Sequence, residues 1–321
     1  MKLVSTYPFK PDDAAWMKEK GIQLVPFQTE QELIDSGAYA DAEVIVANHR
    51  TLQQSFLEKC QSVKWVQVPH IGIERLPMDY LKSRDVIVIN ARGSLGVPIA
   101  EDIITKMLML SRKSMELHKK QLERSWGGLR GVVNLSGKTL AVIGTGDVGT
   151  ETAIRARPFG MKVLGINTDG RELPEFDETY TLDQLNEVIG QSDYIALTLP
   201  LTDQTANMLG EEQFKRMKPN AILINISRGA LIDEEVLLDC LRNRKIGGAG
   251  LDVFVEEFKL GKLPPESPFW ELDNVLITPH CAGGGDGFDR RFTQGFKYNL
   301  EKYMSGSRDD MINVRIYGKG Y

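Results

Sequence analysis

Short runs of β-branched and other apolar residues recur along this chain, and between them lie segments whose apolar positions repeat every three or four residues. Continuous apolar runs of this kind fit parallel strands buried on both faces, with helices as the crossovers. In the first third the pattern predicts strands near residues 3–6, 22–26, 43–47, 64–68 and 86–90, with helical segments such as 12–20 and 52–59 between them. That is a complete small open sheet. From residue 99 to 119 a long helical pattern without glycine or proline follows, with Ile103, Ile104, Met107, Leu108 and Leu110 as apolar positions. Its length predicts a bridge between domains or subunits.

A second series predicts strands at residues 139–143, 162–166, 194–199, 221–226, 250–254 and 275–278, which with their helices make a doubly wound sheet. After Gly283-Gly284-Gly285 a helical pattern spans residues 287–304, expected to fold back onto the first domain, and a polar tail runs to Tyr321. The fold class is therefore α/β with two doubly wound parallel-sheet domains. Residues 1–100 and 284–321 form one of them, and residues 101–283 the other, inserted domain.

Composition narrows the partners. At 321 residues, 42% hydrophobic and 26% charged, the chain has material for two packed cores. Its 39 basic and 44 acidic residues leave a net charge of −5 with no Lys/Arg-rich run, which argues against nucleic acid as a partner. Cys60, Cys240 and Cys281 are an odd, widely spaced set without Cys-x-x-Cys, so neither a disulfide framework nor a thiolate zinc site is indicated, and a reducing cytoplasm is expected. No apolar stretch approaches the ~20 residues of a membrane helix, and the first residues lack a signal-peptide core. No His/Asp/Glu cluster has metal-ligand spacing, so no metal is expected.

The strongest chemical signal is the run from Leu140 to Gly149, an apolar strand leading into Gly144-Thr145-Gly146-Asp147-Val148-Gly149 and then a helix. In that frame Gly144 permits the tight turn, Gly146 lets the backbone approach a pyrophosphate, and Gly149 lets helix and strand pack closely. A dinucleotide is the implied ligand. An NAD enzyme usually carries Asp or Glu about 20 residues beyond the glycines, on the ribose hydroxyls. Here Asn167 and Thr168 stand instead, and Arg171 is close enough in sequence to pair with a 2′-phosphate. NADP is the expected cofactor, with NAD the alternative because Asp169 and Glu172 are near enough to neutralise Arg171.

Three further segments leave predicted strands: Asn225-Ile226-Ser227-Arg228-Gly229, Asp252-Val253-Phe254-Val255-Glu256-Glu257, and Thr278-Pro279-His280-Cys281-Ala282-Gly283. Ligands of doubly wound sheets bind at the carboxyl ends of strands, so Arg, Glu and His would converge on the nicotinamide. A planar cation to grip a 2-keto carboxylate, an imidazole to pass a proton and a carboxylate to orient it are the types such chemistry needs.

In this order the motifs resemble the D-isomer-specific 2-hydroxyacid dehydrogenase family, glyoxylate/hydroxypyruvate reductases included, over almost the whole chain. Further matches are Leu199-Pro200-Leu201-Thr202 with Thr205, Gly72 after Val66-Gln67-Val68-Pro69, and Pro98-Ile99-Ala100-Glu101. The resemblance implies a Rossmann cofactor domain inserted in a flavodoxin-like substrate domain, and NAD(P)H-dependent reduction of small 2-keto acids. Arg228 would bind the substrate, His280 would be the acid/base and Glu257 would orient it, with Glu256 as the competing choice. Amides at Ile71 and Gly72 would hold the substrate carboxylate, with His70 beside them. Gly144, Gly146, Asp147, Val148, Asn167, Thr168, Arg171, Leu199, Pro200, Thr205, Ile226, Ser227, Asp252 and Gly283 would line the cofactor. A homodimer is implied as well. His49 and His118 are read as structural and Cys281 as packing. Asp147 departs from the pattern, since an acid beside the pyrophosphate weakens binding unless it points away. The alternative reading is a cofactor-sensing, corepressor-like binding protein on the same scaffold, because a shared fold does not fix function.

Overall fold

The structure, a computed structural model, describes residues 1–315 and assigns them to two compact units: Met1–Leu95 with the segment from Asp286 onward, and Gly96–Gly285. The part of the polar tail beyond Arg315 lies outside the described residues.

The smaller unit begins with β1 (Lys2–Ser5), α1 (Pro11–Glu19), β2 (Gln23–Pro26), α2 (Glu30–Ser36), β3 (Val44–Val46), α3 (Gln54–Leu57), β4 (Trp65–Gln67), α4 (Met78–Ser83) and β5 (Ile87–Ile89). Its five parallel strands lie in the order β2-β1-β3-β4-β5, the flavodoxin-like winding. Local chemistry sets the element ends: the Thr29 side chain accepts the Glu32 N–H at 3.1 Å to start α2, and Gly37, at φ +65°, ends it in the left-handed region only glycine adopts freely.

The larger unit continues with α5 (Gly96–Ser111), α6 (Ser114–Leu122), β6 (Thr139–Ile143), α7 (Asp147–Ala156), β7 (Lys162–Ile166), β8 (Glu178–Tyr180), α8 (Leu185–Gln191), β9 (Tyr194–Leu197), α9 (Glu211–Arg216), β10 (Ile222–Asn225), α10 (Glu234–Arg242), β11 (Gly248–Leu251), α11 (Val255–Leu260) and β12 (Val275–Ile277). Seven strands, all parallel, run β12-β11-β10-β9-β6-β7-β8. The chain then re-enters the smaller unit as α12 (Phe288–Met304), whose Phe292, Phe296, Leu300 and Tyr303 pack on Leu3, Val44, Val46, Trp65 and Ile89. Helix α12 thus folds back as the pattern predicts, closing one face of the five-stranded sheet; α2 to α4 close the other through Leu33, Leu57 and Leu81.

Three readings need correction. The long helix is two, because Lys113 turns left-handed at φ +52° between α5 and α6; α5 lies inside the larger unit against α7, β10 and β11. The second sheet has a seventh strand, β8, an edge segment too short and polar to read. Strand β11 covers residues 248–251, not 250–254, so Asp252 to Phe254 follow the strand.

Candidate functional site

The fingerprint folds as its glycines require. Gly144 has φ +103°, and a Cβ there would stand 2.7 Å from the Thr198 carbonyl oxygen. A Cβ on Gly149 would collide with the Gly144 carbonyl oxygen. Gly146, which caps α7, instead faces open space, with nothing within 4 Å of such a Cβ. The first-turn N–H groups of α7 have no side-chain cap, and Thr145 Oγ1 is buried without a hydrogen-bond partner among the described residues. These features fit a pyrophosphate at the helix N-terminus. The carboxylate of Asp147 lies where a Cβ on Gly96 would be, at the start of α5. Val148 sits in the same turn.

Beyond β7, Asn167 is 8% exposed; its amide donates to the Arg171 carbonyl at 3.0 Å and its oxygen accepts the Asp169 N–H at 3.2 Å. Arg171 pairs with Asp169 at 2.8 Å, both exposed, and Thr168 is exposed beside them. Across the sheet, Thr205 Oγ1 donates to the Pro200 carbonyl at 2.8 Å and Ser227 Oγ to the Leu197 carbonyl at 2.9 Å, tying the Leu199–Thr205 loop and the turn after Ile226 to the strand ends.

The three catalytic candidates leave adjacent strands. After β10, Asn225 folds the turn by accepting the Ser227 N–H at 3.0 Å and donating to the Arg228 carbonyl at 2.9 Å. Gly229 is obligatory there because a Cβ would strike the Phe254 and Val255 backbone. Arg228 is half-buried, with Nη1 donating to the Ser227 carbonyl at 2.7 Å. After β11, the Val255 N–H donates to Glu234 at 2.7 Å, which fixes the start of α11 and so the direction of Glu257. Burial raises the Glu234 carboxyl above its ordinary range, the Val255 N–H opposing and Glu256 adding to the rise.

After β12 comes His280, whose Nδ1 lies 3.0 Å from Glu257 Oε1. Glu257 is the half-buried member of its acidic pair and Glu256 the exposed one. His280 has φ +50°, a conformation rare for a side chain of this size and concentrated at functional sites. Its loop is bound to Asp252, whose carboxylate accepts the Thr278 hydroxyl and the N–H groups of Cys281 and Ala282, each N–H at 3.0 Å. The His280 N–H donates to the Asp252 carbonyl at 2.9 Å. Asp252, expected to line the cofactor, is 1% exposed and holds this loop, with half-buried Gly283 at its end. Cys281, expected as packing, is exposed.

In the smaller unit, His70, Ile71 and Gly72 follow β4, where the Ile71 carbonyl accepts from Asn90 at 2.6 Å. His70 Nε2 lies 2.9 Å from His49 Nδ1. Sequence reasoning missed this pair, since nothing in residue spacing links the ends of β3 and β4.

Residues 104–282 match the family described as "D-isomer specific 2-hydroxyacid dehydrogenase, NAD binding domain". The chain is 32% identical over 319 residues to D-3-phosphoglycerate dehydrogenase of Methanocaldococcus jannaschii, covering 98% of this chain but only 60% of that protein. With glyoxylate/hydroxypyruvate reductase B of Pectobacterium carotovorum it shares 32% identity, over 78% of each chain. The structure of D-lactate dehydrogenase from Aquifex aeolicus, complexed with NAD and lactic acid, superposes with a TM-score of 0.79 at 26% identity, over 99% of this chain and 100% of that one.

Proposed function

The chain belongs to the D-isomer specific 2-hydroxyacid dehydrogenase family, and from that premise we propose that it reduces a small 2-keto acid to the D-2-hydroxy acid with NADPH. The observation that carries the reading is the 3.0 Å contact between His280 Nδ1 and Glu257 Oε1, on loops from neighbouring strands beside the one that bears Arg228. When bound, the reduced nicotinamide supplies the hydride that reaches the carbonyl carbon. The protonated His280 ring donates a proton from Nε2 to the carbonyl oxygen in the same step, which leaves the ring neutral and the product an alcohol. Glu257, on Nδ1, fixes the ring orientation and balances the charge the ring carries as an acid. Arg228 pairs with the substrate carboxylate and offsets negative charge growing on the carbonyl oxygen. For the smaller unit, the family likeness assigns the Ile71 and Gly72 amides, with His70, to the substrate carboxylate.

For the cofactor, NADPH is favoured over NADH because Asn167 removes the carboxylate that would repel a 2′-phosphate. The exposed Arg171–Asp169 pair contributes little stability, so its guanidinium exchanges readily for a phosphate. Glyoxylate and hydroxypyruvate are the leading substrates, in line with the similar reductase. We infer a homodimer from the family, and Leu122 and Trp126, exposed at the end of α6 and just after it, are apolar side chains that a second copy would cover.

The decisive assay follows NADPH and NADH oxidation by absorbance with glyoxylate, hydroxypyruvate, pyruvate and branched 2-keto acids. The expected result is turnover with a small acid and a preference for NADPH. Cofactor binding without oxidation by any acid would favour a cofactor-sensing protein instead.

A further inference from the structure

The smaller unit carries a pocket that shares no residue with Arg228, Glu257 and His280. It lies between β4, the turn after β5, α12 and residues 312–313, encloses about 230 Å3, and is bounded wholly by residues of that unit. Water takes about 30 Å3 per molecule in the liquid, so the space suits a small organic molecule. Ile89, Phe292 and Phe296 give it an apolar wall, and α12 opens onto it at Gly295, where a Cβ would meet nothing nearer than Ile312 Cδ1 at 3.9 Å.

The charge in the lining has one sign. Arg92 and Arg291 border the pocket, with no aspartate or glutamate among the described lining residues. Arg291 is half-buried; its Nε donates to the Ser94 carbonyl at 2.8 Å, and its guanidinium lies against Gly287, with Cζ 3.0 Å from where a Cβ would be. Neither arginine has a carboxylate partner among the described residues. Arg315 adds to the excess of positive charge. It is 7% exposed, and its Nε has no hydrogen-bond partner among the described residues. Burial lowers its pKa, Arg92 lowers it further, and Glu74 opposes both. Cations drawn out of water call for an anion.

Gln67, on β4, supplies the second point of recognition. The side chain is 2% exposed and lines the pocket, and its Nε2 donates to the Val68 carbonyl at 3.4 Å, which fixes Oε1 as the acceptor end. That oxygen is buried and accepts no hydrogen bond among the described residues. Buried acceptors are seldom left unmet. A hydroxyl suits this one better than an ammonium, because no carboxylate in the lining would offset a further cation beside two arginines. The walls are already fixed: Asn299 donates to the Ile312 carbonyl at 3.0 Å and accepts its N–H at 2.8 Å, and Asn313 donates to the Arg92 carbonyl at 2.7 Å. A site held in shape before its ligand arrives loses less on binding.

We propose that this pocket is a second ligand site of the protein and takes a small hydroxy acid, whose carboxylate pairs with Arg92 and Arg291 and whose hydroxyl donates to Gln67 Oε1. The proposal does not depend on which residues carry out the reduction.

Calorimetric titration of the full-length chain tests it, with D-glycerate as the hydroxy acid and propionate as an acid of the same carbon count without a hydroxyl. Titrating Arg228→Ala protein removes the cation that would hold the acid at the reaction site. Two further changes, neither in the reaction machinery, read the pocket. Gly295→Met fills it and should melt at or above the parent temperature, since glycine is a poor residue inside a helix. Gln67→Leu removes only the unmet acceptor. Glycerate is expected to bind Arg228→Ala protein about tenfold or more tightly than propionate does, the scale of one hydrogen bond to a buried acceptor. Adding Gln67→Leu should abolish that preference, and adding Gly295→Met should abolish binding. No glycerate binding, with water alone in the pocket, overturns the proposal. So does equal affinity for propionate, or glycerate binding that survives Gly295→Met. On its own, Gly295→Met should keep parental kcat and KM for keto-acid reduction; lost turnover in a variant that still melts like the parent would make the pocket part of the reaction site and overturn its standing as a second one.

Discussion

His280 sits at φ +50°, where a non-glycine backbone is uncomfortable, and it is held there by hydrogen bonds to Asp252 and Thr278 while its ring meets Glu257. Such strain persists only where the surroundings over-determine it. His280→Gln should lower kcat by about a hundredfold or more with little change in cofactor affinity, the usual scale for a lost general acid. Arg228→Ala should act chiefly on kcat/KM for the keto acid, and steady-state kinetics separate the two patterns. Glu234 offers a test of electrostatics. Its carboxyl is raised by burial, so the folded state binds a proton more tightly than the unfolded chain and loses stability as pH rises through the ordinary carboxylate range toward the folded value. Glu234→Gln should therefore raise the melting temperature at neutral pH, and the gain should vanish in melts below the ordinary glutamate pKa. At this scale the motif-bearing residues were legible, because His280, Glu257 and Arg228 each follow an apolar run that ends at the same sheet edge. Lys106 and Asp102 were not. Charged residues in a helical pattern read as a solvated face, and only tertiary packing over Gly250 buries the lysine.

Among the elements, β3, β9 and β10 were plain because they are buried at every position and their apolar runs carry that burial. Their edges were less so. Strand β8, Glu-Thr-Tyr, pairs on one side only and needs no apolar run. The break after Ser111 depends on one left-handed lysine, which propensity does not forecast. The glycine turn before α7 allows a paired test. Gly144→Ala places a side chain at φ +103° against Thr198 and should cost at least about 1 kcal/mol in denaturant unfolding. Gly146→Ala meets open space and should cost less than about 1 kcal/mol as a poorer cap, yet it should weaken NADPH binding in fluorescence titration, because the backbone can no longer approach the phosphates closely.

For the whole molecule, the surface over α6 and the segment after it carries its own prediction. Trp126 is fully exposed and Leu122 largely so, and self-complementary contacts between copies commonly bury aromatic anchors at their centre. The proposed homodimer predicts that Leu122→Glu/Trp126→Ser sediments as a monomer while the parent sediments as a dimer, with a melting temperature independent of concentration. The insertion of one unit in the other also sets a timetable. The sheet formed by β1 to β5 leaves the ribosome first, but the aromatic row of α12 that seals one of its faces is translated only after the whole of Gly96–Gly285, a wait of about 10–40 s at ordinary elongation rates. During that interval Leu3, Val44, Val46, Trp65 and Ile89 lack their native cover, while the nucleotide-binding unit becomes complete in sequence. The nascent chain therefore carries a sticky, half-built sheet ahead of the neighbour being finished after it, and a holdase chaperone would find its client surface there.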